Sequence, residues 1–209
     1  MKNYDIQAMK QFVYSSVFTT TIVETIVMIQ IAACFLAYIF TYNQPLIVAL
    51  LSPLALCSVA VYILALKTKA DDVKRIHLLI GIAGIITTIT CTISSVLIIP
   101  MEKSTLIKCL IALCLVNIMM MFLGFLHAHG VVKVKTKKYY MGGTVFFLAC
   151  SSGLALGKNI FHEKRGDIPF AIALLFVGFS IFFTITFLFI MRYYYAKILE
   201  KMEKEERGA

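Results

Sequence analysis

One acid, two amides and a run of hydroxyls stand inside long apolar stretches of this 209-residue chain, and they are the side chains able to do chemistry there. Glu24, in Thr19-Thr20-Thr21-Ile22-Val23-Glu24-Thr25-Ile26, lies about seven residues, or roughly 10 Å, into the first apolar run. It is the single acid inside any of these runs. A carboxylate at such depth costs a few kcal/mol to insert, so acids of this kind turn toward a bundle interior and mark proton relays or ion pathways. With no Lys or Arg deep in another run to neutralise it, Glu24 is expected to be protonated part of the time unless water reaches it. The competing placement starts the helix near Thr21 and leaves Glu24 as an ordinary first-turn acid at the interface.

Gln30 and Asn117 are the deep amides. Gln30 follows Glu24 by six residues, a rotation of about 600°, and so points to a different helix face. Intramembrane amides join helices through hydrogen bonds of about 1 kcal/mol, and contact with a substrate is the alternative role. The third run, Gly81 to Ser95, is soft and polar, with Gly84, Thr88, Cys91 and Ser95 at i, i+4, i+7 and i+11 on one face. Such a face serves as a close-packing seam or as the lining of a polar cavity. The fifth run is short, opens on Gly142-Gly143 and contains Ser151-Ser152-Gly153, the pattern of a broken helix. Ala32, Ala33, Ala37 and Gly178 are further expected points of close helix contact.

Other chemistry is thinly represented. His77, His127 and His129 fall at helix ends and His162 in a loop, an arrangement that suits solvated interfacial side chains and no intramembrane haem. His127 and His129 with Lys133, Lys135, Lys137 and Lys138 form a basic group suited to anionic headgroups. Six cysteines lie in apolar runs without a C-x-x-C pair and read as buried small thiols. No metalloprotease, nucleophile-elbow or phosphate-loop motif occurs, so a non-enzymatic protein without metal or cofactor is expected.

The elements that must position these groups follow from composition. Hydrophobic residues make up 60% and charged residues 15%, with mean hydropathy +0.88. Soluble domains average roughly 45–50% and about 25%, so a soluble enzyme, a disordered tail and a nucleic-acid binder are excluded. A membrane helix needs about 20 mainly apolar residues. Six spans satisfy this, near Val17–Thr41, Pro45–Leu66, Leu78–Ile99, Thr105–Leu126, Met141–Gly157 and Ile168–Ile190. Asn43-Gln44-Pro45 and Pro100-Met101-Glu102-Lys103 are turns, since proline disfavours a helix before it. The expected fold is an all-α integral membrane bundle of six helices. A polar lead over 1–16 precedes it, and a charged helical tail, from Arg192-Tyr193-Tyr194-Tyr195 onward, follows over 191–209 as a solvated extension of the sixth helix.

Orientation comes from the 20 Lys and Arg. One side collects 15: Lys2, Lys10, Lys67, Lys69, Lys74, Arg75, Lys133, Lys135, Lys137, Lys138, Arg192, Lys197, Lys201, Lys204 and Arg207. The other side holds five, Lys103, Lys108, Lys158, Lys164 and Arg165. The positive-inside rule then puts both termini in the cytoplasm and the chain in the plasma membrane as a multi-pass protein. Cys34, Cys91 and Cys150 fall 57 and 59 residues apart, a spacing that either three related hairpins or any six-span chain with short loops produces.

Two functions are compatible with these residues. One is a transporter of a small solute or ion, or its membrane subunit, with Glu24 as coupling group and Thr88, Asn117 and Ser151 lining the path. The other is a non-catalytic immunity or accessory protein that acts through helix contacts with another membrane protein. The expected partners are the bilayer with anionic headgroups and, in either case, another membrane protein or a second copy; nucleic acid is not among them.

Overall fold

A computed structural model describes residues 6–14, 20–41, 44–69, 71–99, 102–133 and 168–207. Among them the chain is helical without strands, in the order α1 (Ile6–Tyr14), α2 (Thr20–Phe40), α3 (Gln44–Leu66), α4 (Val73–Leu97), α5 (Lys103–Lys133), α6 (Ile168–Thr184) and α7 (Phe187–Arg207). Five stretches of these helices are long and apolar enough to cross a membrane, α6 and α7 together supplying the fifth. The fold is therefore an all-α multi-pass membrane bundle. The expected fifth span, Met141–Gly157, lies outside the described residues.

The central element is α4, which packs against α2, α3, α5, α6 and α7. It starts five residues before the expected span because Asp72 caps it, its carboxylate accepting the Arg75 amide at 3.1 Å. Its hydroxyls and glycines make this central position workable, since small residues let neighbouring backbones approach where lipid supplies no hydrophobic drive. On α2 the buried residues Val23, Ile26, Val27, Gln30, Ala33 and Ala37 form one helical stripe turned toward α3 and α4. By contrast α3 and α5 present broad apolar faces outward, with Leu56, Ile63, Ile111, Leu115 and Ile118 among the most exposed large side chains. Such faces suit hydrocarbon surroundings.

Two differences from the sequence expectation concern the sixth span. It is not one helix: the amides of Ile185, Thr186, Leu188 and Phe189 bond to carbonyls three residues back, at 2.9–3.2 Å, so a tight turn separates α6 from α7. Neither Gly nor Pro marks the site; Thr184 and Thr186 instead return their hydroxyls to the carbonyls of Ser180 and Phe183. Back-bonding of this kind bends helices. Nor is the tail a solvated rod. Met191, Tyr195, Ala196 and Leu199 are buried with Met9 and Val13 of α1 and Ala128 and Val132 of α5. The reason is amphipathic α1, whose Met9 and Val13 form an apolar edge that needs cover. Lys10 pairs with Glu203 at 2.9 Å, and Lys74 pairs with Glu200. These contacts bring the basic ends of α1, α4, α5 and α7 together at the lysine-rich end of the bundle, while Lys103 opens α5 at the opposite end.

Several smaller expectations are corrected. Gly178 is not a close-contact point, since a Cβ there would meet nothing within 4 Å. Cys57 and Cys114 are exposed on the outer faces of α3 and α5, whereas Cys91 and Cys109 are buried. Of the three alanines, Ala33 and Ala37 are buried and Ala32 is exposed. The close seam lies at Gly81 and Gly84 of α4, where a Cβ would collide with Ile190 and with the side chain of Thr186.

Overpacking of a tight seam costs typically about 1–3 kcal/mol. Gly84→Val should therefore lower the thermal stability of the detergent-solubilised protein by an amount in that range, while Gly178→Ala leaves it within about 0.5 kcal/mol. Equal tolerance of both substitutions, measured by unfolding in one detergent, would refute the seam.

Candidate polar site between the helices

Two buried amide clusters sit on opposite faces of α4. Thr90 and Thr92, the α4 contributors, are two residues and so roughly 160° apart around the helix. On one face, Gln30 is 0% exposed. Its Nε2 donates to the Leu54 carbonyl at 3.2 Å and to Thr90 Oγ1 at 3.1 Å, while Ser58 Oγ donates to its Oε1. One side chain thus ties α2 to α3 and α4, and both amide hydrogens are used.

On the other face, Asn117 of α5 meets α4 and α6. Its Nδ2 donates to Thr92 Oγ1 at 3.0 Å and to Ser180 Oγ at 2.8 Å. Thr184 Oγ1 lies 3.1 Å from Asn117 Oδ1 and donates to it or to the Ser180 carbonyl at 2.9 Å. Thr92 Oγ1 donates to the Thr88 carbonyl at 2.8 Å, which leaves the Ser180 hydroxyl as donor in the 2.6 Å Thr92–Ser180 contact. About two turns along α4 from Thr92, Gly84 packs against Thr186 at the α6–α7 turn. Gly84 is one residue from the midpoint of α4, so the α6–α7 turn lies near half-depth of the central helix and the amide cluster at Thr92 two turns further along it.

The sequence-derived candidates separate on this framework. Asn117 is at the heart of the second cluster. Thr88 is 2% exposed on α4, its carbonyl bonded to Thr92, and its hydroxyl lacks a partner among the described residues. Ser151 lies outside the described residues, as do Lys135, Lys137 and Lys138. Glu24 is the fifth residue of α2 and half-buried. Helical rotation puts it about 130° from the middle of the buried α2 stripe. The structure therefore does not join Glu24 to Asn117 or Thr88, whose contacts come from α4, α5 and α6.

At the lysine-rich end, His129 Nδ1 lies 3.0 Å from the Tyr195 hydroxyl and its ring stacks on Phe125, with centroids 5.7 Å apart. Lys133 closes α5, and His127 is half-buried six residues before it. His77 is buried outright, its ring tilted against Phe189 at 5.7 Å, which corrects the solvated placement expected for it. Arg192 lies over the rings of Phe12 and Phe189, 5.4 and 5.3 Å from their centroids. Among the described residues no group of three or more His, Cys, Asp or Glu is placed to hold a metal.

Sequence reasoning missed Thr92, Ser180, Thr184 and Thr186 as site residues. The signal was present: in Phe179-Ser180-Ile181-Phe182-Phe183-Thr184-Ile185-Thr186-Phe187 the only polar side chains are these last three, with Ser180 and Thr184 one turn apart. No protein family, curated protein or solved structure matches the chain.

Interhelical hydrogen bonds in membranes are worth about 0.6–2 kcal/mol. Asn117→Leu and Gln30→Leu should each destabilise the bundle by roughly 1–2 kcal/mol, and an Asn117/Ser180 double-mutant cycle should show a coupling of at least about 0.5 kcal/mol. A coupling of zero would mean that this contact does not hold α5 to α6.

Proposed function

We propose that the chain is a small transporter of a solute or ion, or the membrane subunit of one, with its path along the face of α4 that meets α5, α6 and α7. The observation that carries this reading is the interruption, near half-depth of α4, of an apolar helical stretch long enough to span a membrane, within two turns of a buried amide–hydroxyl cluster. Irregular backbone at membrane depth is tolerated where protein buries it or where it lines a cavity, and interrupted helices are where transporters place their binding sites. In this reading Asn117 and Thr88 belong to the path; Ser151, the third residue expected there, lies outside the described residues. Glu24 is a protonatable group near the lysine-rich end, apart from the buried cluster. The basic residues His127, His129, Lys133, Lys135, Lys137 and Lys138, the last three outside the described residues, are of a type suited to anionic headgroups of the plasma membrane's cytoplasmic leaflet.

A second reading, an immunity or accessory protein, has its own support. Ile107, Ile111, Leu115, Ile118 and Phe122 form an exposed stripe along α5 that another helix could cover as readily as lipid.

Reconstituted into liposomes under an imposed ion or solute gradient, the transporter reading predicts uptake above protein-free vesicles. Asn117→Leu should slow it about tenfold, the equivalent of losing about 1.4 kcal/mol in the path. Uptake equal to that of empty vesicles, together with a one-to-one companion in a gentle-detergent pull-down, would replace this reading with the second one.

A further inference from the structure

The hydrogen bonds around Asn117 leave an excess of acceptors. Both Asn117 amide hydrogens, the Ser180 hydroxyl and the Thr92 hydroxyl are committed to partners. The Thr184 hydroxyl is committed to Asn117 Oδ1 or to the Ser180 carbonyl. Lone pairs therefore remain on Ser180 Oγ, Thr184 Oγ1 and Asn117 Oδ1, all of them buried.

Thr88 adds to that excess. Thr25, Thr68, Thr87, Thr92 and Thr184 each return their hydroxyl to the carbonyl four residues back. Thr88 does not, although it is buried, and its Oγ1 has no partner among the described residues. Its level follows from register. Thr92 meets Ser180, Gly84 meets Thr186, and α4 runs antiparallel to α6. Thr88, midway between these two contacts on α4, is then level with Phe183 and Thr184, one turn from the amide cluster and beside the α6–α7 turn.

We propose that Thr88, Ser180, Thr184 and Asn117 form a binding site for a dehydrated monovalent alkali cation, held by neutral hydroxyl and amide oxygens at the α6–α7 turn. Hard cations take oxygen ligands, and unfilled lone pairs gathered away from water are satisfied by a cation as well as by hydrogen bonds. The four named residues carry no carboxylate, so the cage suits a single charge and not a divalent ion, whose dehydration is far more costly. The α6 carbonyl end, on which the helix dipole is negative, points the same way. This deepens the transporter reading and rests on the same site, naming the ion that occupies the path.

The test is thermal unfolding of the full chain in detergent micelles in NaCl, KCl or choline chloride at constant ionic strength, so that binding is read without flux. NaCl or KCl should raise Tm saturably above choline chloride, by about 5–11 °C at a concentration about 100 times Kd. Thr88→Val should remove the shift, Thr88→Ser should keep it, and Ser94→Ala, which alters a buried hydroxyl on the other face of α4, should leave it unchanged. Identical Tm values in the three salts overturn the site, as does a shift that survives in Thr88→Val. If Thr88→Val does not fold, Thr184→Val takes its place with the same expected loss. A saturable alkali shift in a protein that moves no ion or solute in liposomes upholds the cation site and ends the transporter reading; solute uptake by a protein whose Tm is identical in the three salts does the reverse.

Discussion

Hydrocarbon offers no water to a polar group, and the two side-chain amides on either face of α4 answer that constraint inside the protein. Gln30 gives both amide hydrogens to α3 and α4, and Asn117 gives both to α4 and α6. Apolar contact cannot choose between registers in a bilayer, because lipid is as apolar as leucine. A helix slipped by one residue would rotate these amides by about 100° and strand them, at a cost of about 1–3 kcal/mol each. The central position of α4, and through it the depth of every other described span, follows from these two joints.

The close seam at Gly81 and Gly84 depends on the same register. Once Thr92 is held against Ser180, the next turns of α4 bring Gly84 against Thr186 and Gly81 against Ile190. Side chains there would force α7 outward, so the glycines and the α6–α7 turn are two halves of one packing solution. Beyond the turn, α7 covers the apolar edge of α1 and places Glu200 and Glu203 beside Lys74 and Lys10. Partly exposed ion pairs of this kind contribute at most about 1 kcal/mol each. Burial of Met9, Val13, Tyr195 and Leu199 therefore does more than the ion pairs to close the lysine-rich end.

Much of this architecture is legible in the chain. Continuous apolar runs determine the class, and the described spans begin and end within a few residues of expectation except where a local signal shifts them. Asp72 lengthens α4, and the absence of a strong breaker lets α5 run seven residues past Leu126. Amides as helix joints are also readable from Gln30 and Asn117 alone. The α6–α7 interruption is not, because Thr184 and Thr186 occur in uninterrupted membrane helices as well, and only the glycine seam opposite them makes the bend fit. Glu24 misleads for a related reason. Counting along the chain gives its depth, but its rotation about α2 depends on which stripe is buried, and that is set by α3 and α4.

Water access to the α6–α7 turn is the most direct test of the account. With the six native cysteines replaced, a single cysteine at Thr184 would be challenged in sealed membranes with a small water-soluble methanethiosulfonate. A cysteine at Ile111, on the outer stripe of α5, serves as the lipid-facing control, and one at Lys204 as the aqueous control. A polar path predicts that Thr184→Cys reacts, more slowly than Lys204→Cys, while Ile111→Cys stays inert. Thr184→Cys as inert as Ile111→Cys would contradict the account and leave the Asn117 cluster as a dry joint between helices.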